Sequence, residues 1–190
     1  MSTRAMLIEA GPTPWETEGR IVGNASLPLT AEAMDAIRHL LENLQDRIDS
    51  VYRPASNDAC NQTAQIVAAK FGIRARDNPD LDEPSLGLWQ GLFPDNVRAR
   101  FPTVFPQWED RPLAVPPPDG EPLEAAISRI RGALTKIIRR NKNYTIALPL
   151  RPMAMQIAAG ILRKQPASEI AARLHQRQSI ETIEIDPQGL

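Results

Sequence analysis

Apolar positions along this chain follow two rhythms, short runs and a helical period, and they alternate. Residues 5–9 form a short apolar run and predict a first strand. Behind Thr30, a candidate N-cap with Glu32 in its first turn, Met34, Ile37, Leu40, Leu41, Leu44 and Ile48 recur three or four residues apart, which predicts an amphipathic helix. Residues 50–53 predict a second strand. Ser56 or Asn57 opens a helix that ends near Phe71 and Gly72, and residues 73–76 add a further short strand. Leu123, Ala126, Ile127, Ile130, Leu134, Ile137 and Ile138 line one face of a helix over about 121–140. A strand follows at 144–148. Residues 153–162 are apolar nearly all round, as a helix buried beside a sheet should be, and Ser168 is the expected cap of a helix starting near Glu169. Residues 179–185, where Ile183 and Ile185 alternate with Thr182 and Glu184, predict a half-exposed closing strand. Strand and helix in alternation imply α/β architecture, with a mostly parallel sheet covered on both faces.

The rhythm breaks once. Eight of the 18 prolines lie between Pro94 and Pro122, including the run Pro116, Pro117, Pro118. Proline fixes φ and removes backbone donors, so about 94–122 is expected to be an extended, semi-rigid covering segment on a single domain spanning 1–190. The 42% hydrophobic content suffices for a buried core. A net charge of −1 offers no field for nucleic acid or an anionic membrane. Cys60 is the sole cysteine and cannot form an internal disulfide, and no apolar run approaches the roughly 20 residues of a membrane span. A cytoplasmic protein is expected, and a homo-oligomer is compatible with everything above.

Candidate chemistry lies in four spaced motifs. Leu7 and Ile8 lead into Glu9, Ala10, Gly11 and Thr13, followed by Trp15, Glu16, Gly19, Arg20, Gly23 and the Pro28, Leu29, Thr30 turn. Residues 51–67 read VYRPASNDACNQTAQIV. Leu81, Glu83, Gly87, Trp89 and Gly91 form the third motif, and residues 145–154 read TIALPLRPMA. Between the last two, residues 120–130 read GEPLEAAISRI, with Arg129 on the helix. These segments resemble the histidine phosphatase superfamily, the phosphoglycerate-mutase-like proteins. Its members open with a strand and RHGxT, then carry an arginine before a TA pair, LxExxxGxWxG, and an apolar strand running into a second histidine. The fold so implied is a three-layer α/β/α sandwich.

Set against that pattern, the frame is kept and the reagents are replaced. Glu9 stands for the first arginine, Ala10 for the nucleophilic histidine, Glu16 for a phosphate-side asparagine, Ala59 for the second arginine and Pro149 for the second histidine, while Gly11 is retained and Glu83 holds the proton-donor position. Losing a covalent nucleophile costs on the order of 10⁶ in turnover where it has been measured. Each lost arginine removes roughly 1.5–3 kcal/mol of charge-assisted hydrogen bonding to an anion. Glu9 and Glu16 would each repel a phosphate by about 4 kcal/mol per unit pair at contact.

The resulting expectation is a catalytically inactive pseudoenzyme, not an enzyme, with a binding, regulatory or structural role and an unknown protein or small-molecule partner. The alternative is a phosphatase or mutase-like hydrolase acting on a phosphate ester through relocated residues. No cofactor and no metal are expected: Glu9, Glu16 and Glu83 converge but are expected to pair with Arg20 or Arg151. Arg20, Arg53 and Arg151 are the candidate ligand-binding residues. His39 and His175 occupy no motif position and read as helix residues, and Cys60 reads as a small buried hydrophobe.

Overall fold

The computed structural model describes residues 2–185. Five strands, β1 (Thr3–Glu9), β2 (Ser50–Arg53), β3 (Ala75–Asp77), β4 (Thr145–Leu150) and β5 (Ile180–Ile185), form one sheet in the order β3-β2-β4-β1-β5. All pairings are parallel except that of β5, which runs antiparallel to β1. The helices are α1 (Pro14–Thr17), α2 (Ala31–Glu42), α3 (Asp58–Phe71), α4 (Pro94–Arg100), α5 (Val104–Asp110), α6 (Leu123–Arg140), α7 (Pro152–Leu162) and α8 (Ala167–Ala172), with short 3-10 turns at Pro79–Leu81 and Gly87–Trp89.

The central parallel strands β1 and β4 are largely buried on both faces, which is why they read as continuous apolar runs, whereas β3 at the edge is exposed. Met6 and Ile8 of β1 face α2 and α3, meeting Ile37, Leu41, Ala64 and Val67. Ala5 and Leu7 face the other layer, where α6 and α7 supply Ile130, Leu134, Met155 and Ile157. Thr30 caps α2 by accepting from the Ala33 N–H, and Asn57 caps α3 by accepting from the Cys60 N–H. Each satisfies a donor that the first helical turn leaves unpaired.

A proline inside a central strand needs a reason, and the register supplies one. The N–H groups of Arg4 and Ala10 donate to the carbonyls of Tyr144 and Leu150, so the even-numbered residues of β4 face β1. In a parallel ladder the odd-numbered ones then face β2. There the pairing ends at Val51 with Ala147. Pro149 is the next residue of β4 that faces β2, and the ladder stops where its missing N–H would have donated.

Three expectations are corrected. The proline-rich segment contains α4 and α5 instead of running extended, because Pro94 and Pro106 fall in first turns, where the missing N–H has no helical acceptor to lose. Its Val97, Phe105 and Trp108 join the core around Trp89. Helix α8 starts at Ala167, with Pro166 as N-cap in place of Ser168. Pro166 has φ −68° and its carbonyl accepts from the N–H groups of Glu169 and Ile170, which sets the first turn. The third strand falls at Ala75–Asp77, shifted from 73–76.

Gly87 joins the third motif to the proline run. Its φ is +52°, and a Cβ there would sit 2.1 Å from the Pro118 carbonyl oxygen. Gly72 ends α3 at φ +64° with open space around its Cβ position. Gly72→Ala should cost about 1 kcal/mol, the left-handed backbone penalty alone. Gly87→Ala should cost at least about 2 kcal/mol more through collision with rigid backbone. Urea denaturation of the two variants measures the difference.

Candidate functional site

Strands β1 and β4 end side by side, and the crevice beyond their carboxyl ends carries the candidate chemistry. Ile8 pairs with Pro149 across the ladder, and the Ala10 N–H donates to Leu150 O at 2.7 Å. Ala10 and Ala59 are fully buried in the layer between sheet and α2/α3. The group that stands over Ala10 is Arg151, the N-cap residue of α7, at 1% exposure. Its Nη1 donates to Ala10 O at 3.2 Å and Gly11 O at 3.0 Å, and its Nη2 meets Glu16 Oε2 at 2.7 Å. Glu16 is aimed by its own helix: a Thr13-x-x-Glu16 capping box brings its carboxylate within 2.8 Å of the Thr13 N–H.

Arg177 closes the outer side. Its Nη2 lies 2.8 Å from Glu9 Oε1 and 3.3 Å from Glu16 Oε1, while the Gln178 N–H donates to Glu9 Oε2 at 3.3 Å. Two carboxylates are thus matched by two guanidiniums, and the electrostatic reversal expected from Glu9 and Glu16 is neutralised within the cleft.

Glu83 finds a different partner. Its two carboxyl oxygens accept from the N–H groups of Met153 and Ala154, at 3.0 and 2.7 Å, in the first turn of α7. The segment bearing it is fastened by Arg129, which pairs bidentately with Glu121 at 2.7 Å and donates to the carbonyls of Asp80 and Asp82. Burial pushes the Glu83 carboxyl up to about 7, against the opposing pull of Arg151 and the two backbone donors. Burial also raises Glu9, with Arg177 only partly offsetting it. At Glu16 burial acts upward too, but Arg151, the Thr13 N–H and Arg177 together hold it below the usual carboxylate range. The Cys60 thiol is fully buried and pushed well up, so it stays neutral.

These groups open onto a cleft of about 320 Å³ whose walls include Glu16, Arg20, Glu83, Arg151, Arg177 and His175. Its far end is apolar, with Val22, Leu86, Trp89, Phe105, Trp108 and Met153. Arg20 reaches this wall but pairs with Glu18 at 2.6 Å, donates to Gly91 O and lies over the Phe93 ring. Arg53 is elsewhere, paired with Asp77 at 2.9 Å. His39 sits on the surface of α2 beside Glu42. Among the described residues no three acidic, histidine or cysteine side chains are placed to hold a metal ion. The expected pairing of Glu9 and Glu83 with Arg20 or Arg151 is therefore corrected: Glu16 alone takes Arg151, Glu9 takes Arg177 and Glu83 takes a helix N-terminus.

Arg177 is the residue that sequence reasoning passed over, and His175, expected within a helix, is corrected to a turn beyond the end of α8. They lie between α8 and β5, and they reach the cleft because antiparallel β5 begins at Ile180, opposite Ile8. The available signal was chemical, since Glu9 and Glu16 required a second cation.

The pattern that defines the histidine phosphatase superfamily (branch 1) matches residues 6–190. This chain belongs to that superfamily. It is 22% identical over 156 residues to phosphoserine phosphatase 1 of Hydrogenobacter thermophilus, across 79% of this chain and 74% of that protein. Among solved structures it resembles the α-ribazole phosphatase of Shigella flexneri, with a TM-score of 0.86 at 21% identity over 98% of this chain and 92% of that one. It also resembles a mycobacterial glucosyl-3-phosphoglycerate phosphatase complexed with VO3, with a TM-score of 0.82 at 18% identity over 94% and 90% of the two chains. The expectation that the chain is not an enzyme is corrected by its superfamily membership and by the curated relative, a phosphatase, which point to an enzyme. The inference from missing residues went too far because it removes one chemical route, whereas binding and fixed dipoles supply catalysis of their own.

Arg151→Met should destabilise by about 3 kcal/mol, because it strands the half-buried Glu16 carboxylate, and adding Glu16→Gln should recover part of that loss. Chemical denaturation of single and double variants checks it. The raised Glu83 gives a pH signature as well. From about 4.5 to about 7 the folded protein holds a proton that the unfolded chain has released, so this contribution is full below 4.5 and lost as pH rises through 7. Relative to Glu83→Gln, wild-type stability should fall across that window by up to about 3 kcal/mol.

Proposed function

We propose that the protein is a hydrolase of phosphate esters that works through groups relocated from the superfamily's usual positions. The observation that carries this reading is Glu83: a carboxyl pushed up to about 7, on the wall of a cleft that also holds the buried Arg151 guanidinium. A group with that titration keeps a substantial protonated fraction near neutral pH and is suited to protonate a leaving oxygen. The three phosphatase relatives support the reaction class.

Ala10 has no lone pair, so a phosphohistidine at that position is excluded and water is the attacking group. Water adds to phosphorus, the bond to the ester oxygen breaks, and Glu83 gives its proton to the departing alkoxide. The proton of the attacking water passes to solvent. Arg151 is held on three sides by Ala10 O, Gly11 O and Glu16, and its fixed positive charge in the cleft wall attracts the phosphoryl group. Arg177, half exposed at the mouth, adds a second positive charge. Without a covalent nucleophile, turnover is expected to be slow, resting on an acceleration of about 10³–10⁴ over water of the kind that binding and oriented dipoles provide.

A phosphate-release assay over a panel of phosphomonoesters tests this. The expected result is turnover above the buffer blank that declines as pH rises above about 7, and a Glu83→Gln protein purified in parallel that is slower by about 10². Release from no ester in the panel, or equal rates for wild type and Glu83→Gln, would overturn the proposal.

A further inference from the structure

We infer that the cleft selects phosphate esters whose organic part is an aromatic ring. This deepens the proposed hydrolase reading by naming its substrate class, and it stands on the end of the cleft that the chemistry does not use. That end is built from rings meeting edge to face: Trp89 lies 5.1 Å from Phe105 at 90° and 5.2 Å from Trp108 at 73°. Exposed His175 continues the series at the rim, 5.5 Å from Trp108 at 78°. Such an array accommodates one more ring at the same spacing, because each ring's electropositive edge faces a neighbour's electronegative face. An aliphatic group of equal size would gain burial without that electrostatic match.

The charged part of the cleft, where Arg151 and Arg177 lie beside Glu16, suits the phosphate, and the rings suit the organic part. The cleft's volume of about 320 Å³ is at the lower end of the range typical of small-molecule sites, enough for one ring and its phosphate.

Isothermal titration of the whole protein with phenyl phosphate, cyclohexyl phosphate and phenol tests the inference by binding alone. Phenyl phosphate should bind about five-fold more tightly than cyclohexyl phosphate and about ten-fold more tightly than phenol. His175→Ala, at an exposed position, should weaken phenyl phosphate about three-fold, leave cyclohexyl phosphate unchanged and keep the melting temperature. Equal affinity for the two phosphates, phenol binding as tightly as its phosphate, an equal loss for both phosphates in His175→Ala, or no binding of any of the three would overturn it. Selective binding without turnover would defeat the hydrolase reading and leave this one. Turnover without selectivity would do the reverse.

Discussion

Burying the Arg151 guanidinium at the carboxyl end of a parallel sheet takes a charge out of water, at several kcal/mol unless partners surround it. The structure meets that demand on three sides at once. Two carbonyls at the end of β1 accept from it, and Glu16 supplies the countercharge from a helix of only four residues. Much of the local architecture follows. Helix α1 must start where it does so that its capping box aims Glu16 inward, and β1 must end at Glu9 so that the Ala10 and Gly11 carbonyls turn toward Arg151. Glu16 in turn draws Arg177, which draws Glu9.

The superfamily pattern keeps its cations on β1 and at the start of α3. Here Glu9 and Ala59 occupy those places, and the guanidinium arises instead at the start of α7, across the crevice. The exchange changes which backbone holds the cation, and the carboxylates of Glu9 and Glu16 now balance the guanidiniums of Arg151 and Arg177. The amide groups at the start of α7 are consequently shared between two tasks, since the residue that caps the helix is Arg151 and the carboxyl that receives its first-turn donors is Glu83. Glu83 and Arg151 are therefore both positioned by the main chain at the start of α7.

The proline-rich segment gives the cleft its second character. Helices α4 and α5 are short, but Phe105 and Trp108 pack with Trp89, and Gly87 lets the third motif approach the Pro118 carbonyl closely. Aromatic packing against a proline-stiffened chain makes this wall rigid, and rigidity favours discrimination by ring shape over accommodation of any apolar group.

The order of strands and helices was legible in the chain because burial on one or two faces imposes a period of its own, and Thr30, Asn57 and Gly72 marked helix ends by local chemistry alone. The superfamily frame was legible too, since glycines, a tryptophan and a threonine at fixed spacing report backbone constraints carried within single segments. What only tertiary structure decided was which groups meet. Glu16 with Arg151, Glu9 with Arg177, and His175 with Trp108 are separated by 135, 168 and 67 positions in the chain. Their pairing depends on β5 turning back beside β1 and on α7 starting beside α1. Glu83 was visible as a carboxyl at a motif position, but its partners are main-chain N–H groups, which every residue except proline possesses and which therefore leave no trace in a sequence. Its titration near neutrality is a property of burial, and burial exists only once the chain has closed around it.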